Sequence, residues 1–152
     1  MNGLKNCGPY NIFAEVEKTV EFYECDPLGV VWHGNYLDYF EIGRRKLLEK
    51  IGYDYYEMQK TGFAFPVTGV NVKYCGILRF KDHAVIRAIL EEYENCLKIK
   101  YEIRNAQTGV VTTKGIVTQM ALNMKTNESC FVCPKVFQDK VEAVIKESKK
   151  GD

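Results

Sequence analysis

The sequence predicts an α+β domain in which antiparallel strands lie against one long helix, with a second amphipathic helix at the end. Two observations carry this. Apolar residues alternate from Ala14 to Tyr23, turn to helical spacing from Asn35 to Ile51, and return to strand-like stretches between Val67 and Met124. The connections between the last four strand candidates are short, which favours an antiparallel meander, and one helix on one face of such a sheet is an α+β layout.

Taken in order, Ala14–Tyr23 places Ala14, Val16, Val20 and Phe22 on one face, interrupted by Lys18. A Pro- and Gly-containing loop follows. Asn35 is a strong helix-start residue with Asp38 three positions on. Tyr36, Leu37, Phe40, Leu47, Leu48 and Ile51 then form a broad apolar stripe. Arg44, Arg45, Lys46 and Lys50 sit in the C-terminal half, where cations suit the helix dipole, and Gly52 is a natural stop. Tyr53–Thr61 reads as a short second helix. The four strands are Val67–Tyr74, with Val70, Val72 and Tyr74 on one side, then Ala84–Tyr93, Leu97–Arg104 and Val110–Met124. Leu97, Ile99, Tyr101 and Ile103 alternate with Lys98, Lys100, Glu102 and Arg104, and Asn105–Gly109 supplies the next turn. Pro134 opens the last helix, through Ser148, with Phe137, Val141, Val144 and Ile145 on one side.

A chain of 152 residues without repeats, linkers or low-complexity tracts reads as one domain over 1–152, with its core at about 13–148. Its 46% apolar and 27% charged content is ordinary for a globular protein, and a net charge of +1 argues against broad attraction to nucleic acid or an anionic membrane. No apolar run approaches the roughly 18–20 residues that span a bilayer. Met1–Asn6 lacks a signal-peptide hydrophobic core, so a cytoplasmic location is expected. Six cysteines in that setting read as reduced thiols. Cys130-Phe-Val-Cys133 has the spacing of half a zinc site, but Cys7, Cys25, Cys75 and Cys96 are scattered singly, so no metal is expected. There is no Gly-x-Ser-x-Gly elbow, phosphate-cradling P-loop or Gly-x-Gly-x-x-Gly fingerprint.

The chemistry concentrates in Cys25-Asp26-Pro27-Leu28-Gly29-Val30-Val31-Trp32-His33-Gly34-Asn35-Tyr36. Here an acidic side chain precedes a helix N-terminus, whose unpaired N–H groups and partial positive charge stabilise an oxyanion or a polarised carbonyl. Acyl transfer needs that pairing of a nucleophile or base with hydrogen-bond donors. Asp26-Pro27-Leu28-Gly29 equally fits an ordinary turn. Cys25 is a poor alternative nucleophile, because neighbouring side chains in an extended segment point to opposite sides.

The segment Phe22–Tyr36 resembles the signature of the 4-hydroxybenzoyl-CoA thioesterase family and of the YbgC-like acyl-CoA thioesterases of the same hotdog-fold group. The resemblance implies an antiparallel sheet of about five strands curled around the long helix. It implies hydrolysis of an acyl- or aroyl-thioester of coenzyme A, or of acyl-carrier protein, with no cofactor beyond the thioester substrate. Asp26 matches the family's catalytic carboxylate, acting as nucleophile or general base. His33 falls where relatives use a backbone N–H to polarise the thioester carbonyl. Gly29 and Gly34 fit tight turns and close approach to a ligand, Asn35 the helix start, and Trp32, Tyr36 and Tyr39 an acyl pocket or plain core packing. Some relatives carry a basic triplet that meets the coenzyme A phosphates; this chain reads Glu94-Asn95-Cys96 there, with Lys98 and Lys100 nearby. Relatives also pair two sheets edge to edge, so a homodimer or homotetramer is expected. Non-hydrolytic binding of acyl-thioesters and hotdog hydratase chemistry are the alternatives from other functional classes.

Overall fold

In a computed structural model that describes residues 7–150, the chain begins with β1 (Phe13–Thr19) and a 3-10 turn over Phe22–Glu24. A second 3-10 turn, His33–Asn35, runs into α1 (Tyr36–Ile51), followed by α2 (Tyr55–Thr61) and β2 (Phe63–Ala64). The strands β3 (Val67–Tyr74), β4 (His83–Glu92), β5 (Leu97–Asn105) and β6 (Val111–Gln119) come next. Short strands β7 (Leu122–Asn123) and β8 (Glu128–Ser129) precede α3 (Lys135–Lys150). The main sheet is antiparallel in the order β1-β4-β5-β6-β3, and β2-β7-β8 form a small second sheet. This is the α+β arrangement of five strands, one long helix and a C-terminal helix that the sequence predicts.

Three expectations need correction. The first strand stops at Thr19, because Phe22–Glu24 coils into a 3-10 turn that leaves Phe22 and Tyr23 exposed. The expected long strand over Val110–Met124 breaks after Gln119: Met120 N donates to Pro66 O, and Leu122–Asn123 joins the small sheet instead. The meander holds only for β4, β5 and β6. β3 pairs with β6 at the far edge, three strand places from β4. Residues 75–82 make the crossing, since their extended reach of roughly 25 Å exceeds the roughly 14 Å between such strands.

The core forms where α1 crosses β1 and β4, with a smaller contact on β5. Ala84, Ile86, Ala88 and Leu90 of β4 meet Tyr39, Phe40, Leu47 and Leu48 of α1, all buried. Phe40 stacks on Tyr101 at 4.4 Å between ring centres, and its ring edge occupies the space where a β-carbon on Gly115 would lie, 2.5 Å away. A glycine in mid-strand therefore admits the aromatic plug of the sheet. Val70, Val72 and Tyr74 of β3 face the same side, where α1 meets the strand through Tyr36, whose ring lies 5.7 Å from that of Tyr74. Val70 and Tyr74 remain about half exposed along an unpaired strand edge.

Candidate active site

Glu24 organises the candidate site. It is 8% exposed, two residues before Asp26. Its carboxylate accepts the Tyr39 hydroxyl at 2.9 Å and the Glu21 backbone N–H at 2.8 Å, and lies 3.3 Å from the Lys18 ammonium. That pairing explains Lys18, which sits opposite Ala84 on the helix-facing side of β1 where an apolar residue is expected. With its hydroxyl on a carboxylate inside the core, the Tyr39 phenol is pushed well above the ordinary tyrosine range, burial being the larger cause and Glu24 the next.

The chain then leaves the core. Cys25 bridges to Val31, Asp26 N donates to Val30 O, and Gly29 N to Asp26 O, closing a tight turn in which Gly29 takes φ +80°. Asp26 Oδ1 accepts Leu28 N–H at 2.9 Å, so the residue does form the local turn bond of an Asp-Pro loop. Among the described residues no protein group donates to Oδ2, and Asp26 is partly accessible. Val31 N bonds Leu78 O and Val30 bridges Arg79, so the 75–82 crossing segment braces the loop from below.

The helix α1 begins after Asn35, as expected, and a 3-10 turn over His33–Asn35 leads into it. Asn35 has helical dihedrals (φ −72°, ψ −16°) and caps nothing; its side-chain amide donates to Glu24 O at 2.7 Å. The 3-10 turn starts at His33, and Asn35 N bonds Trp32 O at 2.9 Å. His33 and Gly34 are the first two residues of that turn, so their N–H groups have no partner within it. Among the described residues neither donates to any other acceptor. The Trp32 indole lies over Gly34, where a β-carbon would come within 2.2 Å of the ring.

The remaining predicted site residues divide into two groups. Trp32 (49% exposed) and the His33 ring stand at the surface, their centres 5.0 Å apart. Tyr74 on the sheet edge reaches across and donates its hydroxyl to His33 O at 3.2 Å. Tyr36 and Tyr39 are buried beneath, packed edge to face at 5.8 Å, and present core surface rather than a pocket wall. The Cys25 thiol is pushed up by burial first, then by the Glu24 and Asp26 charges, and its Sγ points to Glu21 O. His83, near Thr19 and Glu17, lies apart on the sheet rim. None of the six cysteines is in a disulfide, and among the described residues no three His, Cys, Asp or Glu side chains gather as a metal site requires.

Sequence reasoning missed Glu24, although Lys18 on an apolar face was a signal that a buried anion lay near. It also missed two adjoining cavities of about 390 and 610 Å³ along α1 and α2, which share Arg44, Tyr55 and Met58. Neither includes the Asp26 loop.

Comparisons with known proteins agree with this architecture. A family profile described as the thioesterase-like superfamily matches residues 20–143. A candidate acyl-CoA thioesterase of Bacillus subtilis, YneP, is 36% identical over 77 residues, which are 51% of this chain and 56% of that protein. A candidate esterase of Synechocystis, sll0410, is 30% identical over 129 residues, covering 82% of this chain and 76% of its own length. Among solved structures, a DHNA-CoA thioesterase from Staphylococcus aureus superposes with a TM-score of 0.77 at 26% identity, over 92% of this chain and 95% of that one. No helix among the described residues is long and apolar enough to cross a membrane. On the extent of the profile match and of the Synechocystis alignment, the chain belongs to the thioesterase-like superfamily and has its hotdog fold.

Proposed function

We propose that this protein is an acyl-CoA thioester hydrolase of the 4-hydroxybenzoyl-CoA and YbgC-like kind. Asp26 acts on the thioester carbonyl carbon, and the His33 and Gly34 N–H groups bind its oxygen. The observation that carries the reading is the meeting of two unmatched capacities in one loop. One oxygen of Asp26 has no protein donor, and two N–H groups at the nearby helix start have no protein acceptor among the described residues. Negative charge that develops on a thioester oxygen needs such donors, which are already oriented and need no rearrangement during reaction. The carboxylate either attacks the carbonyl or draws a proton from water that does; both routes move charge onto the same oxygen. Coenzyme A enters as part of the substrate, and the chemistry needs only Asp26, water and backbone donors. The similarity to the DHNA-CoA thioesterase, and to a Staphylococcus aureus protein solved in complex with CoA at a TM-score of 0.77, supports that carrier.

A second carrier is favoured by one observation. An Arabidopsis acyl-acyl carrier protein thioesterase, ATL3, is 37% identical over half of this chain. In assembly, β3 offers an unpaired edge and a half-exposed apolar face bearing Val70 and Tyr74, which natural proteins cover. Pairing of two such edges gives the expected homodimer, and stacking of dimers the homotetramer, with Trp32 and the Asp26 loop beside the seam. Six cysteines outside any disulfide suit a reducing, cytoplasmic compartment.

The test is incubation with acetyl-, hexanoyl-, palmitoyl- and benzoyl-CoA and with one acyl-carrier protein thioester, following free thiol release. Hydrolysis of one class names the carrier. Binding without thiol release, or water addition with the thioester intact, would replace this reading by the binding or hydratase alternative. Sedimentation at micromolar concentration checks assembly: a stable, active monomer would refute the shared seam.

A further inference from the structure

We propose that Glu24 is the positioning residue of this site, holding Asp26 and the His33–Gly34 donors at their mutual spacing through one buried carboxylate and one backbone carbonyl. The inference rests on the thioester-hydrolase reading above and concerns a residue outside the signature carboxylate, the helix-start donors and the aromatics.

Three features separate Glu24 from an ordinary buried side chain. Its carboxylate ties together three elements: Lys18 of β1, the Glu21 turn and Tyr39 of α1. Its own carbonyl oxygen receives two further donors, Trp32 N at 3.0 Å and the Asn35 side-chain amide at 2.7 Å. Those two residues flank His33 and Gly34 on either side, so the orphan donors hang from Glu24 O. Asp26 is joined to the same residue by a single intervening link, Cys25. The Asp26 carboxylate and the oxyanion donors are therefore both tied to Glu24, alongside the bracing that Leu78, Arg79 and Tyr74 give the loop.

Stability alone is a poor reason for this arrangement. A buried ion pair is often no better than well-packed apolar residues of similar size, because desolvation offsets the attraction. An apolar pair at 18 and 24 would still close the core, but it could not hold the Glu21 N–H and the Tyr39 hydroxyl. The fixed point under the loop would then be lost. Lys18 also balances the Glu24 charge, so this second carboxylate adds no net negative charge beside the place where an anionic intermediate forms. Such placement matters because a shift of about 1 Å in reacting groups costs about 100-fold in rate.

The experiment is steady-state hydrolysis of the best substrate of the acyl-CoA panel by the full chain, comparing wild type, Asp26→Asn, Glu24→Ala, Glu24→Gln and Tyr39→Phe, with circular dichroism to count folded protein. Glu24→Ala is expected to lower kcat by about 10–100-fold per folded molecule while KM moves less than about 3-fold. Glu24→Gln keeps an amide oxygen for the Tyr39 hydroxyl and the Glu21 N–H, and should recover kcat to within about 5-fold of wild type. Tyr39→Phe removes only a hydroxyl and decides the case if Glu24→Ala does not fold: kcat down by about 3–10-fold at constant KM sustains the proposal. Unchanged kcat per folded molecule in Glu24→Ala or Tyr39→Phe overturns it, as does a Glu24→Gln enzyme no better than Glu24→Ala. A wild type that releases no thiol, or an Asp26→Asn variant with normal turnover, breaks the underlying reading instead, and the two failures are distinct.

Discussion

Residues 21–25 and residues 26–35 are adjacent in sequence and opposite in character. In the first stretch the buried Glu24 has every carboxylate oxygen occupied, and it is bonded to β1, to its own turn and to α1. In the second, among the described residues, Asp26 keeps one oxygen without a protein donor, and His33 and Gly34 keep two N–H groups without acceptors. Both stretches carry a carboxylate, two positions apart. The difference teaches that burial and satisfaction, rather than residue type, separate a carboxylate that builds the site from one that is offered to a ligand.

The sharpest way to break that contrast is Asp26→Asn. The amide is nearly isosteric and can still accept Leu28 N–H, so the turn and the fold should survive. Turnover should fall by about 10²–10⁴-fold or more, the usual worth of a positioned base. Acyl-thioester affinity should change much less, because the rest of the substrate is held elsewhere. Kinetics with a parallel binding titration checks both. Near-normal turnover in a folded variant would return the loop to an ordinary Asp-Pro turn.

Gly34→Ala attacks the donor side. A β-carbon there would sit 2.2–2.8 Å from three atoms of the Trp32 ring, so the indole must swing out or the turn must shift. Trp32 is half exposed and has room to move, which keeps the stability cost modest. The donor N–H survives but is displaced, so a fall of about 10–100-fold is expected, below the roughly 10²–10³-fold of outright donor removal. Thermal melts beside the kinetics separate the two effects: a large loss of stability with normal turnover of the folded fraction would place Gly34 with the held residues.

These two variants also mark how much was readable from sequence. The strands were legible wherever a strand is buried on one face and wet on the other, as in β5, because Leu97, Ile99, Tyr101 and Ile103 must alternate with charges. The place of β3 at the far edge was not, since Val70, Val72 and Tyr74 alternate identically whether the strand is central or terminal. Position within the sheet is decided by the 75–82 crossing, which carries the chain from β3 at one edge to β4. In the site, Asp26 and His33 stood out through their motif. Glu24 did not, because its partners Lys18 and Tyr39 come from different elements, and no local spacing joins a strand lysine to a helix tyrosine. The 3-10 turn ahead of α1 was hidden for a similar reason: Asn35 precedes the helix as its residue type suggests, but its amide is drawn to Glu24 O, and the turn begins at His33.

His33→Ala tests whether the donor side works through backbone or side chain. The ring is exposed, packs near Trp32 and Tyr74, and makes no hydrogen bond to Asp26. Its N–H is unchanged by the substitution, so a loss of less than about 10-fold is expected. A loss as large as that of Asp26→Asn would make the imidazole a proton-transfer group and move His33 to the side of Asp26.

The smallest effect is expected at Cys25, which stands between the two stretches and marks their boundary. Its thiol is pushed above the ordinary range by burial first and by the neighbouring Glu24 and Asp26 charges next. The sign matters: a raised thiol pKa means that the thiolate, the only effective nucleophile, is scarcer near neutral pH than in a free cysteine. The Cβ also alternates away from that of Asp26. Cys25→Ala should therefore keep turnover within about 3-fold of wild type, a margin set by the loss of minor packing rather than chemistry. Its rate should also show no missing rise above pH 9 relative to wild type. A wild-type rate that climbs steeply in that range, and a variant that does not, would mean that the thiolate carries part of the reaction. The boundary between holding and presenting residues would then lie one residue earlier, with Cys25 on the reactive side.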